Sequence, residues 1–161
     1  MERVSIDEID PEPHDAALHA DRRELTEPLG VDGIAIARYA LEPGERFSGS
    51  VHAHADQEEL FVVLAGTATF ETRTGTVTVA DDEAIRFAPG EFQSGRNDGH
   101  EDLIAIAIGA PRETDDIRID RIPVLDDRDV SCPDCDRDSM RISGGESAFA
   151  CQDCGAGLDL E

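Results

Sequence analysis

The chain has 161 residues, a length that suits one domain of ordinary size with a short appendage. Its 37 acidic residues outnumber its 14 basic ones, and the resulting formal net charge of -23 at pH 7 makes binding to a nucleic-acid backbone unfavourable. No apolar run approaches the length of a membrane span and no export signal is visible, so we expect a cytoplasmic protein without a membrane partner.

Residues 1–32 form a mixed polar segment that is interrupted by proline residues. The near-alternation of Val4, Ile6 and Ile9 predicts a strand over residues 4–9. Residues 14–25 contain good helix formers and predict a short helix. Both histidines of this stretch, His14 and His19, are expected at the surface.

Residues 33–125 change to short apolar runs separated by turns that contain Gly, Pro and Asp. This spacing predicts an all-β fold, an antiparallel sandwich or barrel. The predicted strands cover residues 34–41, 59–64, 68–72, 77–79, 84–87 and 103–108, with a hairpin connection at 71–75 and a last strand within 117–125. Residues 126–129 then form an acidic linker, and residues 130–161 a separate unit that carries the cysteines.

Three residues near the start of the predicted barrel have the chemistry of a metal site. His52 and His54 are two residues apart, so a strand would place both imidazoles on one face, with Cα atoms about 7 Å apart. A first-row metal about 2.1 Å from each nitrogen fits between two such rings. Glu59 follows a four-residue gap that can turn the chain back toward the same point. A lone His-x-His pair is more typical of solvated edge residues, but the added carboxylate favours a metal site with open positions.

The pattern His52-x-His54, four residues, Glu59, six residues, Gly66 resembles the first motif of the cupin superfamily. Residues 88–97 resemble its second motif, in which Gln93 stands where the family has a third histidine ligand. Two smaller departures are a missing glycine at position 46 and a proline directly adjacent to the glycine at 89–90. The resemblance covers residues 33–109 and implies a double-stranded β-helix, that is, a jelly-roll barrel.

The departure at Gln93 leaves three alternatives open. Its carbonyl oxygen could be a weak fourth ligand, it could hydrogen-bond a metal-bound water, or the site could be metal-free. Without a metal, Glu59 would be a carboxylate in an apolar barrel, which is costly unless the carboxylate is paired. A bound divalent transition metal is therefore the alternative that we favour.

The resemblance implies iron, manganese, nickel, cobalt or zinc in the barrel, and a small-molecule ligand. It also implies a homodimer that forms through an N-terminal strand. Activities of the family include metal-dependent dioxygenases, isomerases and decarboxylases, alongside binders without catalysis, so the sequence leaves open whether the chain is an enzyme. The alternative function is a non-catalytic sensor or protein-interaction module, in which the cysteine unit supplies the contact surface.

The C-terminal unit contains two C-x2-C knuckles separated by fifteen residues: Cys132 with Cys135, and Cys151 with Cys154. This spacing predicts a tetrahedral structural zinc site in a zinc-ribbon-like unit, which the metal would fold because about thirty residues bury little core. Redox-active thiol pairs and an iron-sulfur cluster are the rival interpretations. Seven acidic residues and two arginines from position 130 onward disfavour nucleic acid as a partner here.

The charged residues have an unusual distribution. All 14 basic residues are Arg, and the acidic residues are spread along the chain. Such a composition resembles that of proteins from extreme halophiles. At molar salt the Debye length is about 3 Å, so the self-repulsion of a highly acidic chain is screened.

Overall fold

Alternation of apolar and polar residues along a strand directs every second side chain to one face of a sheet. The computed structural model describes residues 1–160 and forms two antiparallel sheets from such strands. Strand β2 (Ala35–Leu41), for example, buries Ala37, Tyr39 and Leu41 and leaves the residues between them partly exposed. The all-β architecture expected from the sequence is confirmed.

The first sheet has five strands in the order β1-β2-β9-β4-β7, and the second has nine, in the order β14-β13-β12-β10-β3-β8-β5-β6 with β11 beside β10. The remaining strands are β1 (Asp21–Glu24), β3 (Val51–His54), β4 (Glu58–Ala65), β5 (Thr67–Thr72), β6 (Gly75–Ala80), β7 (Ala84–Phe87), β8 (Gln93–Arg96), β9 (Leu103–Ala110), β10 (Ile117–Ile122), β11 (Arg128–Asp129), β12 (Met140–Ile142), β13 (Phe149–Ala150) and β14 (Gly157–Leu158). The helices among the described residues are α1 (Thr26–Leu29) and two 3-10 turns, Ile6–Glu8 and Pro123–Leu125.

Aromatic rings fill the space between the two sheets. Phe61 from β4 lies 4.9 Å from Phe70 of β5, measured between ring centroids, and Phe47 stacks on Phe70 at 5.9 Å. Tyr39 meets Phe47 edge to face at 5.0 Å. Since β4 and β2 belong to one sheet and β5 to the other, this cluster joins both sheets around one core.

A single glycine makes the sharp connection between β4 and β5. Gly66 has a φ of 78°, a left-handed conformation that L side chains rarely adopt. A Cβ atom at this position would lie 2.6 Å from the backbone oxygen of Asp102, the residue directly before β9. The turn therefore needs glycine for its backbone conformation as well as for its close packing.

The second sheet continues from the barrel into the cysteine unit. Strand β10 pairs with β3 on one edge and with β12 on the other, so that Ile119 lies between His52 and Met140 in adjacent strands. Ile119 and Met140 belong to a second core that also contains Val130 and Phe149. Residues 128–129, within the expected linker, form β11 on the edge of β10. The domain boundaries remain a prediction. Strand β10 pairs with a strand of the barrel and with a strand of the cysteine unit.

Two expectations for the N-terminal segment are wrong. Residues 6–8 form a 3-10 turn rather than a strand over 4–9. Residues 14–25 contain strand β1 instead of a helix, because Asp21–Glu24 pairs with the free edge of β2. A helix of that length is marginal by itself, so the tertiary pairing outweighs local propensity.

The expectation that His19 lies at the surface is also wrong. Its side chain is completely buried, and its ring meets Tyr39 edge to face at 5.2 Å. Nδ1 hydrogen-bonds the backbone oxygen of Arg46 at 2.9 Å, and Nε2 accepts a hydrogen bond from the backbone N–H of His14 at 3.2 Å. Both ring nitrogens are thus satisfied inside the protein. The neighbouring His14 is exposed, as expected.

Candidate metal centre

The structure brings His52, His54 and Glu59 together at one end of the barrel, between the two sheets. Both histidines project from β3, and Glu59 projects from β4 in the facing sheet. One potential ligand atom from each residue lies within 4.8 Å of the other two. His54 Nε2 is 3.6 Å from Glu59 Oε2, which is within the range of about 3 to 4 Å expected for two atoms bound to one first-row metal ion.

Hydrogen bonds orient both imidazole rings with Nε2 left available. His52 Nδ1 lies 3.0 Å from the backbone oxygen of Ser50, which can only accept, so the ring carries its proton on Nδ1. His54 Nδ1 lies 3.4 Å from the Thr114 hydroxyl. That hydroxyl donates its own proton to Asp56 and therefore accepts from His54. Metal-binding histidines are held by such outer hydrogen bonds, which fix the tautomer and the ring orientation.

Gln93 completes the cluster from strand β8. It pairs with His52 across the β3–β8 ladder, and its Nε2 donates a hydrogen bond of 2.9 Å to Glu59 Oε2. Its side-chain oxygen is buried and has no hydrogen-bond partner among the described residues. A buried acceptor without a partner costs free energy. A metal ion, a water molecule or a ligand group would satisfy this oxygen, so the amide fits a place at the edge of a metal site.

Burial controls the charge of the site. It lowers the pKa of His54, an effect that the nearby Glu59 carboxylate opposes and that His52 reinforces. A neutral imidazole is the form that ligates a metal. Two imidazoles in this neutral form, together with one carboxylate, have the donor set that holds a divalent cation.

A cavity of about 420 Å³ adjoins the cluster and is lined by all four side chains. Its other walls are largely apolar and include Leu18, Phe47, Ile119 and Ile142. Ile142 comes from the C-terminal unit and Leu18 from the N-terminal segment, so distant parts of the chain complete the wall. The volume suits a small organic molecule beside the metal position.

Sequence reasoning missed several residues of this site. Ser50 and Thr114 orient the histidines, and Tyr39 and His19 line the cavity. Only Ser50 lies next to the recognised motif, where its proximity to His52 is a usable signal. Thr114 is 60 residues from its partner His54, and nothing in a single sequence connects the two.

The four cysteines form a second cluster. Cys132 Sγ lies 3.5 Å from Cys154 Sγ, and Cys135 Sγ lies 3.6 Å from Cys151 Sγ. A tetrahedral zinc ion with Zn–S bonds of about 2.3 Å requires sulfur atoms about 3.8 Å apart, whereas a disulfide requires about 2 Å. The distances fit four thiolates around one metal ion, and the four cysteines are free rather than bridged.

Electrostatic coupling among the thiols also suits a cation. Backbone N–H groups of Cys154 and Asp153 lower the pKa of Cys151 to about 6. The N–H of Arg137 acts in the same direction on Cys135, but the three neighbouring thiols raise its pKa to about 12. Without a cation these sulfurs cannot all ionise together, because their negative charges repel one another.

Comparison with known families supports the resemblance of the barrel residues. Residues 37–109, from within β2 to within β9, match the family model described as Cupin domain. This segment contains His52, His54, Glu59 and Gln93. No curated protein matches the chain significantly.

Solved structures resemble about two thirds to three quarters of the chain. A protein of Acidithiobacillus ferrooxidans, assigned as a sugar phosphate isomerase, is 25% identical with a TM-score of 0.56 over 65% of this chain and 65% of its own. A sugar phosphate isomerase from a cupin superfamily, from Silicibacter pomeroyi, is 18% identical with a TM-score of 0.60 over 73% and 85%. A Thermotoga maritima protein, assigned as an oxalate decarboxylase, is 23% identical with a TM-score of 0.58 over 68% and 98%. The expected cupin-type fold is confirmed, and the chain spans 65% of the length of the Acidithiobacillus protein.

No helix in residues 1–160 is both long and apolar enough to cross a membrane.

Proposed function

We propose that this cupin barrel binds a divalent transition metal through His52, His54 and Glu59, and that it binds or converts a small molecule in the adjoining cavity. The observation that carries the proposal is the convergence of three ligand atoms within 4.8 Å beside a cavity of about 420 Å³. The outward hydrogen bonds of both Nδ1 atoms support it, because they leave Nε2 as the free donor of each ring.

A metal held there would act as a Lewis acid with open positions for a ligand oxygen. The chain's own residues supply the rest of the site. Glu59 accepts a hydrogen bond from Gln93, which holds the carboxylate in place. Phe47 and Ile119 exclude water from the cavity wall, which strengthens electrostatic interactions inside it.

Isomerisation of a sugar phosphate is the reaction that the comparisons support best, since the 25% identical Acidithiobacillus protein carries that assignment. Ligand binding without catalysis is the second candidate. One observation supports this second candidate. Two polar groups of the cavity that could act in catalysis already have hydrogen-bond partners in the protein: the Tyr39 hydroxyl accepts from Arg22, and both nitrogens of His19 are hydrogen-bonded. Turnover of aldose and ketose phosphates, followed by NMR, distinguishes the two candidates.

We also propose that the four cysteines hold a structural zinc ion. The sulfur separations of 3.5 and 3.6 Å support this assignment. A closed four-thiolate site leaves no position for a substrate, so its role is to stabilise the C-terminal unit.

Elemental analysis of the native protein tests both metal sites. We expect one zinc ion per chain from the cysteines, and a second metal ion that is lost in the double variant His52→Ala, His54→Ala. The matched control is His100→Ala, which removes an exposed histidine that does not line the cavity. If the double variant retains the metal content of the wild type, the barrel site is wrong.

A further inference from the structure

The first strand places an arginine on the interior side of the barrel. Arg22 of β1 lies directly opposite Tyr39 of β2, and directly opposed residues of antiparallel strands share one face of the sheet. Tyr39 is buried in the barrel core, so Arg22 shares the inward face. Its Nε donates a hydrogen bond of 3.2 Å to the Tyr39 hydroxyl, and its guanidinium carbon lies 5.8 Å from the centroid of that ring.

Arg22 lacks the carboxylate partner that most arginines of this acidic chain have. Its neighbour Arg23, on the opposite face of β1, pairs with Asp21 at 2.8 Å. No carboxylate among residues 1–160 lies within ion-pair distance of Arg22, although the side chain is half-buried. Its described contacts are the Tyr39 hydroxyl and the backbone oxygen of Glu12, which leave Nη2 without a protein acceptor. A half-buried guanidinium with an unpartnered Nη2 can bind an anion through a charge-assisted hydrogen bond.

Arg22 lines a second cavity, of about 340 Å³, that reaches the metal-site residues His54 and Glu59. Arg112 is the other guanidinium of its wall, and it is held by Glu27, which is not part of the wall. Among the described residues, Glu59 is the only carboxylate that lines the cavity, and it is a proposed metal ligand. Two guanidinium groups thus line one cavity in a chain whose net charge is -23, and only that of Arg112 is held by a carboxylate of residues 1–160.

The two cavities meet at shared walls formed by Tyr39, His54 and Glu59. The cavity of about 340 Å³ offers the guanidinium groups, and the cavity of about 420 Å³ offers the apolar surface of Phe47 and Ile119. We infer that the ligand is an organic anion. Its carboxylate or phosphate group binds Arg22 with Arg112 nearby, and its less polar part lies beside the metal position. This inference rests on the proposed function, because it takes the cavity beside the proposed metal site as the ligand site.

Tyr39 provides a spectroscopic readout, since it is the only tyrosine and the chain has no tryptophan. The probes are cyclohexanecarboxylate, its neutral isostere cyclohexanecarboxamide, and cyclohexyl phosphate. Each is titrated at constant salt against the metal-loaded protein while Tyr39 fluorescence is recorded. We expect at least one anion to bind about tenfold more tightly than the amide, because the Arg22 guanidinium forms hydrogen bonds between two charged groups only with the anions. The tighter of the two anions identifies the acidic group.

Replacement of the arginine separates its role from that of the metal. Arg22→Gln should weaken anion binding about tenfold and leave amide binding unchanged. The matched control Arg23→Gln, one residue away on the outer face, should bind all three probes as the wild type does. Elemental analysis of each variant should show unchanged metal content. Arg112→Gln gives a second test if Arg22→Gln fails to fold.

Equal binding of the anions and the amide to the wild type overturns the inference without any variant. So does an anion preference that persists in Arg22→Gln with its metal retained, and in that case the proposed metal site still stands. Conversely, an anion preference that depends on Arg22 in a barrel without metal supports the inference and overturns the metal proposal.

Discussion

At the scale of single residues, Gln93 is the departure from the cupin pattern that bears most directly on the site. Its amide nitrogen donates to Glu59, and its amide oxygen is buried without a partner. Rotation of the amide by half a turn would exchange these two atoms and turn the oxygen toward Glu59 Oε2, an arrangement that needs a cation between the two oxygens. The residue can therefore support the carboxylate or take part in ligation, but it ligates less strongly than an imidazole.

We expect Gln93→His to tighten metal binding about tenfold, or about 1.4 kcal/mol, because an imidazole would add a strong ligand beside His52 and His54. Competition with a chromogenic chelator measures the affinity. The control Gln93→Leu removes the hydrogen bond to Glu59 without adding a ligand, and it should weaken binding. An unchanged or lower affinity in Gln93→His would show that position 93 lies outside the coordination sphere.

At the scale of secondary-structure elements, β10 connects the two clusters. One edge pairs with β3, which carries both histidines, and the other pairs with β12 of the cysteine unit. Ile119 packs in the second core and also lines the cavity, and Ile142 of β12 reaches the same cavity. The fold of the cysteine unit thus shapes one wall of the proposed ligand site.

We expect Cys132→Ser to release the zinc ion, because three thiolates and a hydroxyl no longer complete the tetrahedral site. Residues 130–161 should then lose protection against amide hydrogen exchange, while the aromatic core between the sheets keeps the barrel folded. Zinc content and hydrogen exchange are measured on the same sample. Ser131→Ala is the neighbouring control and should retain zinc. A zinc content equal to that of the wild type in Cys132→Ser would remove the ribbon assignment.

At the scale of the whole molecule, a formal net charge of -23 makes the 37 acidic residues repel one another. Ion pairs such as Arg86 with Glu58 offset little of this repulsion, because exposed pairs contribute about 0 to 1 kcal/mol each. Salt screens both the repulsion among acidic residues and the attraction within ion pairs. At a net charge of -23 we expect the repulsion to be the larger of the two. The molecule should therefore be more stable in concentrated salt.

We expect the melting temperature to rise between about 0.1 M and 1 M KCl, as the Debye length falls from about 10 Å to about 3 Å. A gain of about 1 kcal/mol corresponds to about 3 °C for a chain of this size. Differential scanning calorimetry measures the change. Sucrose, an uncharged solute that is excluded from protein surfaces, separates screening from general stabilisation. A melting temperature that is constant or falls with KCl would contradict the halophile interpretation.

Local patterns by themselves determined the parts of this protein that depend on short stretches of chain. The spacing of His52 and His54 predicts one face of a strand, because this placement follows from backbone geometry over a few residues. The hairpin between β5 and β6 likewise depends on only a short stretch of chain. The cysteine spacing likewise places four sulfurs together.

Only the tertiary structure decided the features that depend on contacts between distant residues. Arg22 faces the barrel because β1 pairs with β2, and His19 is buried because the N-terminal segment packs against Tyr39. Ile142 reaches the cavity because β12 pairs with β10. The physical reason is that pairing between strands far apart in sequence sets which way each side chain points, and a shift of one residue would reverse it.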